Sequence, residues 1–161
     1  MSTLLLIAGA LMLSAGVVEA FRHPSSGAMF SFAGLVAMWD SGHLPGITGQ
    51  AILFWAIAVM ILFGIRLAGG DTAASYPASA RYYIAGGAMA GMLAGLTLGQ
   101  SGMIVGSALG AVVAAVAWSR TPAGRSSMTG LWRLTAAAGF PSVITMTLVG
   151  LALGQLVAGN W

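Results

Sequence analysis

Long apolar runs separated by short polar breaks dominate the pattern of the chain. Residues 4–20, 50–67 and 131–157 form runs that, as helices, would each extend about 25 Å or more, enough to approach a hydrocarbon core of about 30 Å. The run 28–39 is shorter, so it either thins the bilayer around it or re-enters from one side. Pro141 is expected to kink the last run. The pattern predicts an all-α, polytopic membrane protein.

The longest apolar run, residues 82–118, is too long for one crossing. As a single helix it would extend about 55 Å, well beyond the hydrocarbon core. Its polar interruption at 99–102 is typical of a turn, which divides the run into helices 83–98 and 103–118. About six membrane elements result, in one domain covering 1–161. Its blocks 1–68 and 82–161 would then be inverted halves of three elements each.

The positions of the charges agree with six elements. All the basic residues are arginines, and with six elements the loops that hold or adjoin them fall on one side of the membrane: Arg22, Arg66, Arg81, Arg120, Arg125 and Arg133. Because cytoplasmic loops collect basic residues, this side is predicted to be cytoplasmic and both termini to lie outside. We expect the location to be a bacterial inner membrane.

Composition excludes several other classes of protein. Charged residues make up 6% of the chain, whereas an ordinary soluble domain has about 25%. The net charge of +3 comes from scattered arginines without interleaved aromatic residues, so no nucleic-acid partner is expected. Cysteine is absent, which excludes disulfides, thiolate metal sites and a cysteine nucleophile.

Glycines recur every four residues along both helices of the predicted central hairpin. Small residues at this spacing allow helix backbones to approach closely, and this contact supplies much of the attraction between helices in lipid. The two stripes either face each other within one chain or join another copy in a homo-oligomer. The predicted helix-packing residues are Gly87, Gly91, Gly95, Gly99, Gly102, Gly106, Gly110 and Ala114.

Four parts of the chain share a pattern of small residues with a known family: residues 4–16 followed by Pro24, 31–35 (SFAGL), 86–95 (GGAMAGMLAG) and 102–111 (GMIVGSALGA). In this glycine spacing, over most of its length, the chain resembles the small bacterial membrane proteins grouped as domain of unknown function family 456. It departs from the family at 23–27 and by having Gln100 and Ser107 where prolines are typical. The resemblance implies a helical membrane protein and brings no activity or catalytic residues.

Few polar residues could carry chemistry. Glu19 is the acid predicted within a span, and it either lines a pathway with Gln50 and Gln100 or pairs with the nearby Arg22 at the membrane surface. Asp40 and His43 share one loop, where they either form a general acid–base pair or are solvated. Two histidines and one aspartate are few ligands for a metal, so neither a metal nor a cofactor is expected.

Together these features favour transport or channel-like passage of a small or apolar solute, without identifying that solute. Short and broken elements around polar residues are typical of many transporters. The alternative is a non-catalytic membrane scaffold or assembly subunit that packs through its glycine stripes. We do not expect an enzyme, because that interpretation depends on Asp40 and His43 alone. The expected partners are the lipid bilayer and, for a shared stripe, a second copy of the chain.

Overall fold

Helices are the only regular secondary structure in the part of the chain that the structure describes. In this computed structural model the described residues are 2–69, 75–126 and 131–158, and no strand occurs within them. In chain order the α-helices are α1 (Ser2–Arg22), α2 (Pro24–Asp40), α3 (Gly49–Gly69), α4 (Ala78–Gly95), α5 (Gly99–Ser119), the short α6 (Pro122–Ser126) and α7 (Leu131–Leu134), and α8 (Phe140–Ala158). A 3-10 turn, Leu96–Leu98, joins α4 to α5, and a π-helical turn, Thr135–Gly139, joins α7 to α8.

Four of the described helical stretches are long and apolar enough to cross a membrane. They are Thr3–Arg22, Gly49–Ala68, Ala78–Ser119 and Thr135–Val157, and they support the prediction of a helical membrane protein. The third stretch, of 42 residues, is not one straight helix. It contains α4 and α5, which lie antiparallel with the 3-10 turn between them.

Helix α2 is longer than its apolar run predicts. The run 28–39 has twelve residues, whereas α2 has 17 and begins at Pro24. Proline is well tolerated in the first helical turn, because the N–H that it lacks has no partner there in any case. Ser25 and Gly27, which interrupt the apolar pattern, are buried. The helix is therefore about 25 Å long and packs alongside α1.

Helix α8 is at the centre of the fold and α3 is at its edge. In the stretch that contains α8 and the turn before it, 72% of the most apolar 18-residue segment is buried inside the protein. In α3 the corresponding share is 17%. Each of the other long helices contacts α8, while α3 packs mainly against α2 and has a smaller contact with α8. The core of the bundle therefore forms around α8.

A π-helical turn lies just before Pro141, the residue that is predicted to kink the last apolar run. The Phe140 N–H donates to the Thr135 carbonyl, five residues earlier, which makes the turn π-helical. Pro141 has no N–H and cannot donate to the Ala137 carbonyl as an ordinary helical residue would. A proline and a π turn are two of the recognised causes of a bent helix.

A polar and aromatic contact joins the end of α1 to the start of α4. The Arg81 guanidinium donates to the Arg22 carbonyl, which belongs to the last turn of α1. A basic side chain in this position satisfies a carbonyl that has no intrahelical donor. Next to it the rings of Phe21 and Tyr82 stack with their centroids 6.0 Å apart. This contact connects the α1–α2 pair to the α4–α5 pair.

Candidate functional site

The glycine stripes of α4 and α5 face each other within the chain. A Cβ atom built at Gly91 would overlap the Gly106 carbonyl oxygen, and one built at Gly95 would overlap the Gly102 carbonyl oxygen. The same holds at the arginine-rich end, where a Cβ at Gly87 would meet the Gly110 carbonyl and Ala114. Only glycine permits this backbone approach. Of the two predicted arrangements of the stripes, these contacts therefore correspond to the hairpin within one chain.

One residue of the predicted stripe has a different position. Gly99 lies at the junction of the 3-10 turn and α5 with φ of +73°, in the left-handed region that glycine adopts without a steric penalty. This conformation accounts for a glycine at the turn. The assignment of Gly99 as a helix-packing residue stays a prediction.

A second glycine-packed hairpin, which sequence reasoning missed, is formed by α1 and α2. A Cβ at Gly34 would lie 2.7 Å from the Gly9 carbonyl oxygen, and one at Gly27 would lie 2.8 Å from the Gly16 carbonyl oxygen. On each helix these glycines are seven residues apart, which is about two helical turns. The seven-residue spacing of these glycines is the sequence signal for this hairpin. It is easily overlooked beside the four-residue glycine spacing of α4 and α5.

The three predicted pathway residues lie at opposite ends of the bundle. Gln50 and Gln100 are exposed at the starts of α3 and α5. This is the end where α8 finishes, because Gln155 of α8 accepts a hydrogen bond from the loop before α3. Glu19 is half-buried at the other end, one turn before α1 ends at Arg22. The structure therefore places Glu19 apart from the two glutamines.

No described hydrogen bond joins the two residues of the predicted loop pair, Asp40 and His43. The His43 Nδ1 atom lies 2.9 Å from the Ser41 hydroxyl and 3.1 Å from the Ser41 carbonyl, so its described partner is Ser41. Asp40 and His43 are both exposed. Among the described residues, no group of three or more histidine and acidic side chains could hold a metal ion.

Polar side chains buried around α8 serve to position that helix. The Ser107 and Thr147 hydroxyls are 3.1 Å apart and join α5 to α8. The Gln155 side chain accepts from the Gly46 N–H at 3.0 Å, and Thr145 donates to the Pro141 carbonyl at 2.9 Å. Burial of such groups is costly unless they are hydrogen-bonded. The first two of these contacts join α8 to α5 and to the loop before α3, and the third lies within α8 itself.

A lateral groove lies between α3, α5 and the start of α8, and we call it the α3–α5 groove. It encloses about 1030 Å³, which slightly exceeds the range of roughly 300–1,000 Å³ typical of small-molecule pockets. Its walls are mainly apolar. The lining residues are Ile65, Ser75, Tyr76, Ala108, Ala111, Val112, Arg133, Thr135, Ala136, Ala137, Gly139, Phe140 and Val143.

The packing of α3 and the small side chains of the other walls explain the α3–α5 groove. Because α3 packs mainly on α2, a space remains beside α5. Most lining residues of α5 and of the π turn are alanine or glycine, so they do not fill it. The polar residues of the lining are at the arginine-rich end, around the starts of α4 and α7: Ser75, Tyr76, Arg133 and Thr135. The groove is therefore amphipathic along its length.

Comparison with known proteins adds no relative. No family model, no curated protein and no solved structure matches this chain. The resemblance to domain of unknown function family 456 therefore stays a prediction.

Proposed function

We propose that this chain is a non-enzymatic inner-membrane protein that takes an apolar or amphiphilic solute from the bilayer into the α3–α5 groove and passes it across. The observation that carries the proposal is the groove itself, with about 1030 Å³ of space and mostly apolar walls. Pockets that bind ligands are typically apolar with a few polar groups that fix orientation.

The proposal includes six membrane crossings with both termini outside. Two antiparallel hairpins, followed in each case by one further long helix, support it: α1 and α2 precede α3, and α4 and α5 precede α8. The contact between Arg81 and Arg22 is at the end of the bundle that carries the arginines. With this orientation, the polar end of the groove faces the cytoplasm.

A lateral route agrees with the packing better than an axial one does. The centre of the bundle is filled by α8, and the predicted pathway residues Glu19, Gln50 and Gln100 lie at its two ends. A solute that enters the α3–α5 groove from the side does not require a polar channel along the axis of the bundle. Apolar solutes are already concentrated in the bilayer, so an opening between helices gives them direct access.

The second candidate function is a membrane scaffold that binds no solute. The close glycine packing of both hairpins favours it, because a filled and rigid bundle is all that a scaffold requires. A homo-oligomer would then use the exposed apolar faces, of which α3 has the largest share. The glycines of the α4–α5 hairpin already pack within the chain.

Filling the α3–α5 groove separates the two candidates. Ala108→Phe places a large side chain in the groove, whereas Ala117→Phe places one at an exposed position on the same helix. With purified protein in neutral detergent, we expect Ala108→Phe to weaken binding of the neutral probe N-phenyl-1-naphthylamine at least tenfold and to abolish probe uptake by proteoliposomes. The Ala117→Phe control should bind and transport as wild type does. Equal binding and uptake by all three proteins would refute the proposal and favour the scaffold.

A further inference from the structure

We infer that the α3–α5 groove holds a single membrane lipid with an anionic phosphate headgroup, with the headgroup at Arg133 and an acyl chain along the apolar walls. This inference depends on the proposed function, because it requires the groove to be a binding site. It adds the chemical class of the ligand and the direction in which the ligand lies.

The charge of the groove lining indicates which kind of lipid headgroup it would bind. Arg133 is the charged residue among the lining residues that the structure describes, and no acidic side chain is among them. A guanidinium group binds phosphate through two parallel hydrogen bonds. The Tyr76 hydroxyl, at the same end of the groove, is a further donor. An anionic headgroup therefore fits this end better than a zwitterionic or neutral one.

The direction of the groove matches that of a lipid. Arg133 is at the arginine-rich end of the bundle, which is the level of the headgroups in the leaflet that it faces. From there the lining continues to Val143 on α8, ten residues further along the helix, or about 15 Å into the hydrocarbon region. A lipid bound in this way keeps the orientation that it has in the bilayer.

The π turn supplies an observation independent of charge. Four of its five residues line the α3–α5 groove: Thr135, Ala136, Ala137 and Gly139. A π turn is rarer than an α-helix and occurs frequently at functional sites. Here it comes between Arg133 and the apolar wall at Phe140 and Val143. The turn is thus part of the wall at the point where headgroup and acyl chain would meet.

The recess distinguishes a held lipid from the lipids that surround any membrane protein. Its walls come from three parts of the chain that are distant in sequence, represented by Ile65, Ala111 and Val143. An acyl chain there contacts protein on several sides. A lipid on the outer face of α3 would contact one helix only and exchange freely.

The test compares two lipids with identical acyl chains, phosphatidylglycerol and phosphatidylcholine. Native mass spectrometry of the purified protein in neutral detergent measures how much of each is retained. We expect wild type to bind phosphatidylglycerol at least tenfold more tightly. Arg133→Gln should remove this preference but keep phosphatidylcholine binding, and Arg133→Lys should keep part of it. Arg125→Gln, which removes an exposed arginine that does not line the groove, should behave as wild type does.

The outcomes separate this inference from the proposed function. If Arg133→Gln keeps the preference, or if Arg125→Gln loses it equally, the headgroup site is refuted even when Ala108→Phe still blocks the neutral probe. If Ala108→Phe has no effect on either ligand, both proposals fail. Soluble glycerol phosphate should not displace the lipid at millimolar concentration, and displacement would indicate a site for free phosphate instead. Melting temperatures within a few degrees of wild type will show that the variants are folded.

Discussion

The contact between Gly91 and Gly106 allows a quantitative test of helix packing, because the same helix has a matched glycine without neighbours. A Cβ at Gly91 would overlap the Gly106 carbonyl oxygen, whereas a Cβ at Gly86 would meet nothing within 4 Å. Alanine gains about 0.5–1 kcal/mol over glycine in a helix interior, and this gain applies to both sites. The difference in the free energy of unfolding between Gly91→Ala and Gly86→Ala is therefore the cost of overpacking, about 1–3 kcal/mol.

Unfolding of the purified protein in mixed micelles, titrated with sodium dodecyl sulfate, measures this difference. We also expect Gly91→Ala and Gly106→Ala together to cost less than the sum of the two, because either change separates the same pair of backbones. Gly91→Ala combined with Gly27→Ala, in the other hairpin, should be additive. The reasoning is refuted if Gly91→Ala and Gly86→Ala are equally stable, or if the 91/106 pair is simply additive.

Three further predictions concern the loop contacts, the topology and the predicted pathway. Gln155→Ala leaves unpaired the loop N–H from which it accepts at 3.0 Å, so the free energy of unfolding should fall by about 1–3 kcal/mol, while Gln50→Ala at an exposed site should have little effect in the same titration. In intact cells, a cysteine at His43 should react with an impermeant thiol reagent added outside and a cysteine at Ala123 should not; the opposite labelling would reverse the topology. Glu19→Gln should leave probe uptake by proteoliposomes unchanged, since Glu19 does not line the groove, and a clear loss of uptake would move the pathway to it.

The central hairpin could be predicted from sequence because its signal is local. Gly87, Gly91 and Gly95 recur every four residues, which places them on one face of a helix. The turn that follows is marked by polar residues in the sequence. The hairpin of α1 and α2 has the same kind of contact, yet it was missed. Its glycines are two turns apart, and polar residues at the start of α2 obscure the length of that helix.

The groove could not be predicted because no residue in it is unusual. Ile65, Ala111 and Val143 are ordinary apolar residues in apolar runs, and they become neighbours only through the position of α3 relative to α5. That position depends on packing between elements that are distant in the chain. Arg133 was recognised as a basic residue near the membrane surface, but the recess beside it depends on a π turn that sequence periodicity does not show.

The central place of α8 has a consequence for how the protein is made. The other five long helices precede α8 in the chain, and synthesis adds about 5–20 residues per second. Both hairpins can therefore form before the helix that belongs between them has left the ribosome. Until then, the Ser107 hydroxyl lacks the Thr147 partner that it has at 3.1 Å in the finished fold. The most buried helix is therefore the last long helix to be made, and the packing of the bundle around it can be completed only after the earlier helices have been synthesised.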